Sequence, residues 1–298
     1  MILEPPMARS YFDRMTDRRG DPAWLAQAWA RASVLSVSDR SSVALVGDGL
    51  DLRPSAQVDQ DADRFFLGVH DARPYFAVRG VPADGWRSPR ELGATLSEFE
   101  LDLLITSVAL LQWHARHPHC PLCGAATEVD HGGWTRRCPV DDSQHFPRND
   151  PAVIILIHDG ADRCLLGRGR QWGPGRYSTL AGFVDAGESV ESAVAREIYE
   201  EVRVRVEDIR YVASQPWPFP SSLMLGFTAR AEPGQDVVPD GVEMVEAGWF
   251  TREEVRQAAD WTGEDDEPAL GGRRLRAIPP HFSISRFLID GWLDGQLG

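Results

Sequence analysis

The sequence contains no lysine, because all 31 of its basic residues are arginine. This absence excludes Schiff-base catalysis, pyridoxal-phosphate catalysis and the phosphate-binding P-loop, each of which requires a lysine side chain. Acidic residues outnumber basic ones, and the formal net charge is −14. Such a chain lacks the basic surface that general DNA binding or binding to an anionic membrane requires. If it acts on phosphates, metal ions or local arginines must hold them.

Long apolar runs are also missing. The longest dense run, residues 152–157, is too short to cross a bilayer, and no apolar segment typical of a signal peptide follows the first residues. We therefore expect no membrane partner and a cytoplasmic location. Only four cysteines are present. In a chain without an export signal, the spacing of Cys120 and Cys123 indicates a metal site rather than a disulfide framework.

The remaining composition predicts a folded protein of several parts. Hydrophobic residues make up 43% of the 298 positions, enough for two ordinary domains and a small module. Ser97 and Glu100 form a capping box that begins a helix, whereas the charge runs within 258–280 predict an exposed insertion. In chain order we predict a β-rich N-terminal domain, a connecting helix, a cysteine module and an α/β domain, over residues 1–95, 96–118, 119–147 and 148–298.

The most informative segment is a helix rich in carboxylates. Ser189 can cap its start, and Glu197, Glu200 and Glu201 then stand at i, i+3 and i+4 on one face. One interpretation is a solvated acidic face, but that predicts interleaved basic partners, and only Arg196 is adjacent. Mg²⁺ or Mn²⁺ would remove the repulsion between the carboxylates, since these ions prefer oxygen ligands.

The segment from Gly182 to Glu201 resembles the Nudix box in its glycine, its glutamates and its Arg-Glu-Ile motif. The resemblance implies an α/β/α sandwich that hydrolyses a nucleoside diphosphate linked to another group. It also implies that Glu197, Glu200 and Glu201 hold Mg²⁺ or Mn²⁺, and that Glu200 or Glu201 activates the attacking water.

The same resemblance gives roles to two neighbours of these ligands, and at one position the chain departs from the pattern of the box. Arg196 would orient a glutamate, and Glu188 would complete the junction between the loop and the helix. Arg203 stands where the box normally has glycine. If the helix ends there with a positive φ, arginine costs about 1 kcal/mol.

A proline-rich aromatic segment, Ser-Gln-Pro-Trp-Pro-Phe-Pro-Ser-Ser over 214–222, follows the box. Three prolines in five residues exclude the middle of a central strand. Its aromatic residues are either buried core or a wall on which a base stacks. With the box beside it, the segment resembles the array of the NADH pyrophosphatase branch of Nudix hydrolases, also described as NAD-cap RNA hydrolases.

By this second resemblance several residues contact the dinucleotide. Phe146 would reach the nicotinamide ring across a homodimer interface. Glu243 would be a further metal ligand, although a plain surface glutamate is an equal alternative. The remaining predicted contacts are Phe183, Gln215, Trp217, Pro218, Phe219, Pro220 and Ser222.

The cysteine module resembles a zinc ribbon with an altered second half. Cys120 and Cys123 supply the first two ligands, and Cys138 begins a second motif in which the usual last cysteine is Asp141. Zinc accepts carboxylate oxygen, so Asp141 has suitable chemistry and spacing, with His145 as the other candidate. The alternative is a module that has lost its metal. We expect a structural zinc ion.

Together these features predict a metal-dependent enzyme that hydrolyses NAD(H) to nicotinamide mononucleotide and AMP and removes NAD caps from RNA 5′ ends. One alternative is a broader Nudix diphosphatase that acts on ADP-ribose or dinucleoside polyphosphates. Another is a non-catalytic nucleotide sensor, which would usually lack a glutamate of the box. In this chain the box glutamates Glu197, Glu200 and Glu201 are all present.

Overall fold

The computed structural model describes residues 4–260 and 275–297, and these form two compact units. The N-terminal unit contains residues 9–149 and 216–221, and the C-terminal unit contains the other described residues. The domain boundaries predicted from the sequence are finer than this division and stay predictions. Most of the predicted insertion, residues 261–274, lies outside the described residues.

The N-terminal unit is built on a mixed sheet and one long helix. Its sheet has the order β4-β1-β6-β5, in which β1 and β6 are parallel and the outer pairs are antiparallel. The helices are α1 (Pro22–Trp29), α2 (Pro89–Leu92) and α3 (Glu98–Arg116). The strands are β1 (Ser33–Val37), β2 (Leu45–Val46), β3 (Gly49–Leu50), β4 (Leu52–Pro54), β5 (Arg64–His70) and β6 (Arg73–Arg79).

Helix α3 begins where the capping box predicts. The Ser97 side chain accepts the Glu100 N–H, and the Glu100 carboxylate accepts the Ser97 N–H. The helix ends at Arg116, two residues before Pro118, because proline disfavours helical geometry in the residue before it. The prediction of a helix here is confirmed.

The cysteine module follows α3 and forms a small antiparallel sheet of its own. Its three strands have the order β7-β8-β9. The short strands leave most of the module as turns, in which Gly124 adopts a φ of 78° directly after the first cysteine pair. The strands are β7 (Glu128–Asp130), β8 (Thr135–Arg137) and β9 (Gln144–His145).

The C-terminal unit is built on a six-stranded sheet of order β13-β14-β10-β11-β15, with β12 paired to β10. Strands β10 and β14 are parallel, and β10 is antiparallel to β11 and β12. The strands are β10 (Asp150–His158), β11 (Arg163–Gly169), β12 (Leu180–Phe183), β13 (Val206–Trp217), β14 (Ser222–Ala231), β15 (Met244–Thr251), β16 (Ala259–Asp260) and β17 (Ala277–Ile278). The helices are α4 (Val190–Val202), α5 (Arg252–Arg256) and α6 (Ile284–Leu293).

The central strand β10 separates two apolar cores. Alternate residues of a strand point to opposite faces of the sheet. Ile155 belongs to the core that contains Ile198 of α4, whereas Leu156 belongs to the core that contains Leu288 of α6. The sheet thus lies between two helical layers, and the predicted α/β/α sandwich is confirmed.

Two expectations about the edges of this unit have different outcomes. The proline-rich segment begins within β13, which is an edge strand of the sheet. This position agrees with the prediction that the segment cannot form the middle of a central strand. The predicted exposure of 258–280 is wrong for Ala277 and Ile278, which are buried and pair with β16. Among residues 4–260 and 275–297, no helix is long and apolar enough to cross a membrane.

Candidate active site

Helix α4 presents the predicted carboxylates. The Ser189 side chain caps it by accepting the Ser192 N–H at 3.2 Å. Its apolar side is buried in the sheet core, and this fixes the rotation of the helix. As a result Glu201 is only 5% exposed, whereas the Glu200 side chain is 58% exposed.

Arg196 connects the box residues. Its guanidinium donates to Glu197 at 3.0 Å and to Glu200 at 3.1 Å. It also donates to Glu188 at 2.5 Å and to the Phe183 carbonyl at 2.9 Å. Its hydrogen bonds hold the pKa of Glu188 below the usual range. Arg196 therefore ties the helix to the loop that precedes it and orients three carboxylates.

Glu188 closes that loop. Its carboxylate accepts the Asp185 N–H at 2.7 Å in addition to the bonds from Arg196. One side chain thus binds both the turn before the helix and the arginine within it. This arrangement agrees with the junction role expected for Glu188.

Glu201 is a buried carboxyl group that lacks a hydrogen-bond partner for one of its oxygens. Its Oε2 atom is buried and has no hydrogen-bond partner. Burial, together with the negative charges of Glu197, Glu243 and Asp240, raises its pKa to about 8. A carboxyl group in such surroundings stays protonated at neutral pH unless a bound cation compensates its negative charge. The oxygen donors present fit Mg²⁺ or Mn²⁺.

Glu243, which lies far from the box in the sequence, is brought to the same place. It is exposed just before β15, and its charge raises the pKa of Glu201 and, after the larger effect of burial, that of Glu197. The fold therefore brings Glu243 within electrostatic reach of Glu197 and Glu201 on α4.

Gly182 makes room for one of these carboxylates. A Cβ atom at this position would overlap the carboxylate of Glu197. The strand β12 can therefore lie beneath Glu197 only where the residue lacks a side chain. This steric requirement explains why the box has a glycine fifteen positions before this glutamate.

The predicted aromatic contacts fall in different surroundings. Trp217 and Phe219 meet edge to face, with ring centroids 5.3 Å apart, and the Phe219–Pro220 peptide bond is cis. Phe183, at the end of β12, is 57% exposed, and Phe146 is 65% exposed. Pro218 is buried, Pro220 is exposed and Ser222 begins β14 half-buried.

One neighbour of this segment could not be predicted from the sequence. The guanidinium carbon of Arg90, within α2, lies 5.9 Å from the centroid of the Phe219 ring. Both residues belong to the N-terminal unit. Arg90 belongs to no recognisable motif, so only the folded structure identifies it.

Gln215 requires a correction. It is 0% exposed, and its amide nitrogen donates to the carbonyls of Pro6 at 2.6 Å and Phe282 at 2.9 Å. Its amide oxygen accepts the Ile284 N–H at 2.9 Å. Its hydrogen-bonding groups are thus occupied by backbone atoms of the C-terminal unit. The predicted contact of Gln215 with the dinucleotide is wrong in this structure, because the side chain instead fixes the start of α6.

The cysteine module brings together a metal-binding set. Ligand atoms of Cys120, Cys123, Cys138 and Asp141 all lie within 4.8 Å of one another. Asp141 Oδ1 accepts the N–H and the hydroxyl of Ser143, and Asp141 Oδ2 lies 3.3 Å from the Cys120 sulfur. Three thiolates and a carboxylate suit zinc.

His145 and the fourth cysteine lie outside this set. The ring of His145 contacts the Ser143 hydroxyl at 3.0 Å and is not a member of the metal-binding group. Cys164 is buried in β11. The geometry therefore favours Asp141 over His145.

Comparisons with known proteins agree with these features. The model for the NUDIX domain matches residues 148–269, and the model for the NADH pyrophosphatase zinc ribbon domain matches residues 115–146. A protein of Mycobacterium bovis (strain BCG / Pasteur 1173P2), named NAD-capped RNA hydrolase NudC, is 40% identical over 97% of this chain and 94% of its own length.

Two further matches are partial. The human protein named NAD-capped RNA hydrolase NUDT12 is 39% identical over 66% of this chain and 43% of its own length. A crystal structure of a NUDIX hydrolase from Nitrosomonas europaea is 26% identical, with a TM-score of 0.39, and covers 46% of this chain and 78% of that one.

Proposed function

From the similarity just described, the chain belongs to the Nudix hydrolase family, and we propose that it hydrolyses the diphosphate of NAD(H) to nicotinamide mononucleotide and AMP. By the same reaction it removes NAD caps from RNA 5′ ends. The observation that carries the proposal is the buried, unpartnered Oε2 of Glu201 beside the other box carboxylates, in a chain matched almost throughout by a NAD-capped RNA hydrolase.

The four glutamates would hold Mg²⁺ or Mn²⁺. Bound there, the ions would neutralise part of the diphosphate charge and lower the pKa of a bound water. Arg196 keeps Glu197 and Glu200 in place as the negative substrate approaches. The proton of the attacking water passes to a carboxylate oxygen of Glu200 or Glu201. The four glutamates that would hold the metal are Glu197, Glu200, Glu201 and Glu243.

The aromatic residues provide recognition in this proposal. Trp217 and Phe219 are held by prolines at a fixed mutual angle, which suits the stacking of a base. Phe183 exposes its ring at the end of β12, and we assign it to the nicotinamide side. Ser222, Pro218 and Pro220 frame the segment. Because the chain carries a net charge of −14, recognition rests on the cap more than on the RNA body.

The zinc ion has a structural role in this proposal. The ligands are Cys120, Cys123, Cys138 and Asp141, which leave no open position for substrate. Homodimer formation, with Phe146 reaching the partner subunit, and a cytoplasmic location stay predictions. Light scattering coupled to gel filtration, with Phe146→Ala as the comparison, tests the first of these.

A substrate comparison tests the proposed function. We expect the purified chain with Mn²⁺ to release nicotinamide mononucleotide and AMP from NADH, and to convert NAD-capped RNA to RNA with a 5′ monophosphate. ADP-ribose serves as the competing substrate. If ADP-ribose is cleaved much faster than NADH, the chain is a broader Nudix diphosphatase. Binding of NADH without any products would instead indicate a nucleotide sensor.

A further inference from the structure

Glu243 stands in a short loop, residues 240–244, whose shape is set by Asp240. The Oδ1 atom of Asp240 accepts the N–H groups of Val242 at 3.1 Å and Met244 at 2.8 Å. The Oδ2 atom accepts the N–H of Glu243 itself at 3.2 Å. One carboxylate therefore gathers three consecutive backbone donors within the loop.

The loop is also joined to the catalytic helix. The backbone N–H of Asp240 donates to the carbonyl of Glu201 at 2.9 Å. Glu201 lies in the last turn of α4, where carbonyl groups have no partner within the helix. The segment that carries Glu243 is thus attached next to the buried metal ligand.

Arg170 holds the other side of the loop. Its guanidinium donates to the carbonyls of Gly241 at 2.5 Å and Val242 at 3.2 Å, and its backbone N–H donates to the Glu243 carbonyl at 3.3 Å. A register shift between Arg168 and Gly169, at the end of β11, precedes it. Such irregularities redirect the side chains that follow.

Both backbone groups of Glu243 are therefore occupied, its N–H by Asp240 and its carbonyl by Arg170. We propose that Asp240 and Arg170 are positioning residues, which hold the Glu243 carboxylate at the metal-binding end of α4 without binding metal or substrate themselves. The inference rests on the proposed metal-dependent function. It assigns a task to two residues outside the Nudix box.

Binding of Mn²⁺ alone, followed by electron paramagnetic resonance on the full chain, tests the proposal. We expect Arg170→Met and Asp240→Asn to weaken Mn²⁺ binding by about 10–100-fold, as loss of groups that orient metal ligands typically does. Arg170→Lys keeps a cation that can reach one carbonyl, so it restores part of the affinity. Arg163→Met is the matched control, because Arg163 lies on β11 and pairs with Asp159 at 2.8 Å.

A second background separates positioning from general stabilisation. In Glu243→Gln protein, where the ligand is already impaired, adding Arg170→Met should weaken Mn²⁺ binding no further. An equal additional loss in that background overturns the proposal, because the arginine then acts on something other than Glu243. Unchanged Mn²⁺ affinity in both Arg170→Met and Asp240→Asn, or in Glu243→Gln itself, overturns it as well.

The readout also distinguishes this proposal from the proposed function. Mn²⁺ binding requires no nucleotide, so weakened binding without any NADH hydrolysis upholds the positioning role and rejects the activity. If every variant hydrolyses NADH with an unchanged Mn²⁺ requirement, the activity is upheld and the positioning role is rejected. Circular dichroism identifies variants that fail to fold, and the milder Arg170→Lys then decides the outcome.

Discussion

At the scale of single residues, Glu201 is a carboxyl group in surroundings that do not compensate the charge of its ionised form. Its Oε2 is buried without a hydrogen bond, and burial together with three other carboxylates raises its pKa. Natural proteins keep such groups where function requires them, at the expense of stability. Glu201 should therefore affect activity and stability in opposite directions.

Replacing Glu201 by glutamine tests this opposition. We expect Glu201→Gln to retain the fold and to lose turnover by about 10²–10⁴-fold, whether the lost carboxylate is a metal ligand or the base. Without metal, the variant should be at least as stable as the parent chain, since a neutral amide avoids the cost of burying a carboxyl group whose pKa is raised. NADH hydrolysis and thermal unfolding with and without Mn²⁺ measure both effects. Glu191→Gln, an exposed position of the same helix, should change neither by much. Full activity in Glu201→Gln would place the site elsewhere.

Gln215 shows where reasoning from the sequence stops at this scale. The resemblance placed it on the dinucleotide, yet its partners Pro6 and Phe282 lie 209 and 67 positions away. Such distant backbone groups leave no periodic signal around a glutamine. The carboxylates of the box were predictable because their spacing of three and four residues is local to one helix.

At the scale of elements, the C-terminal end of α4 is strained as the sequence suggested. Arg203 adopts φ 60° and ψ 22°, the left-handed region that glycine normally occupies. Its guanidinium lies 5.4 Å from the centroid of the Tyr199 ring, which offsets part of the cost. The condition under which arginine is unfavourable here, a helix end with a positive φ, is therefore met.

Glycine at this position should therefore stabilise the chain. We expect Arg203→Gly to raise the free energy of unfolding by up to about 1 kcal/mol, because glycine adopts the left-handed conformation without strain. Urea titration measures the change. Arg205→Gly is the control, since Arg205 also lies beside Tyr199 but is not among the residues with positive φ. Equal effects of the two variants would mean that loss of the arginines, rather than backbone strain, decides stability.

Helix α3 is joined to the cysteine module by a buried histidine. His114 contacts the Gly133 carbonyl at 2.8 Å through Nε2 and Arg136 at 2.8 Å through Nδ1. Arg136 can only donate, so Nδ1 accepts and the ring is neutral. Burial lowers the pKa of His114 to about 4.

The stability of the chain should therefore fall with acid. The unfolded chain protonates this histidine near pH 6.5 and the folded chain only near 4, so stability is complete above pH 6.5 and is lost between these values. The loss amounts to about 3 kcal/mol at most. We expect His114→Gln to reduce the difference in unfolding free energy between pH 7.5 and pH 5, measured by urea titration. A variant with the same pH dependence as the parent would show that His114 ionises freely in the folded state.

At the scale of the whole molecule, the layered fold could be predicted from the sequence, but the division of the chain into two units could not. The apolar run of β10 and the amphipathic α4 indicate a sheet covered by helices, because each needs an apolar partner. No pattern in residues 216–221 shows that they cluster with residues 9–149 rather than with the strands on either side. Such membership depends on tertiary packing, which a local pattern does not encode.

Zinc should hold the cysteine module together. We expect about one zinc ion per chain, and its removal by a chelator should lower the unfolding temperature. Asp141→Ala should lose zinc, Asp141→Cys should keep it, and His145→Ala should have no effect; atomic absorption measures each content. Zinc loss in His145→Ala but not in Asp141→Ala would make the histidine the fourth ligand.

The interleaved course of the chain has a consequence for how such a protein can change over generations. Residues 216–221 leave the C-terminal unit between β13 and β14 and belong to the unit formed by the first half of the chain. A recombination event that exchanged the second half as a block would transfer the box helix intact but would separate Trp217 and Phe219 from Arg90. With the proposed role of Trp217 and Phe219 in substrate binding, a new specificity is expected to need paired substitutions in both halves rather than shuffling of gene segments.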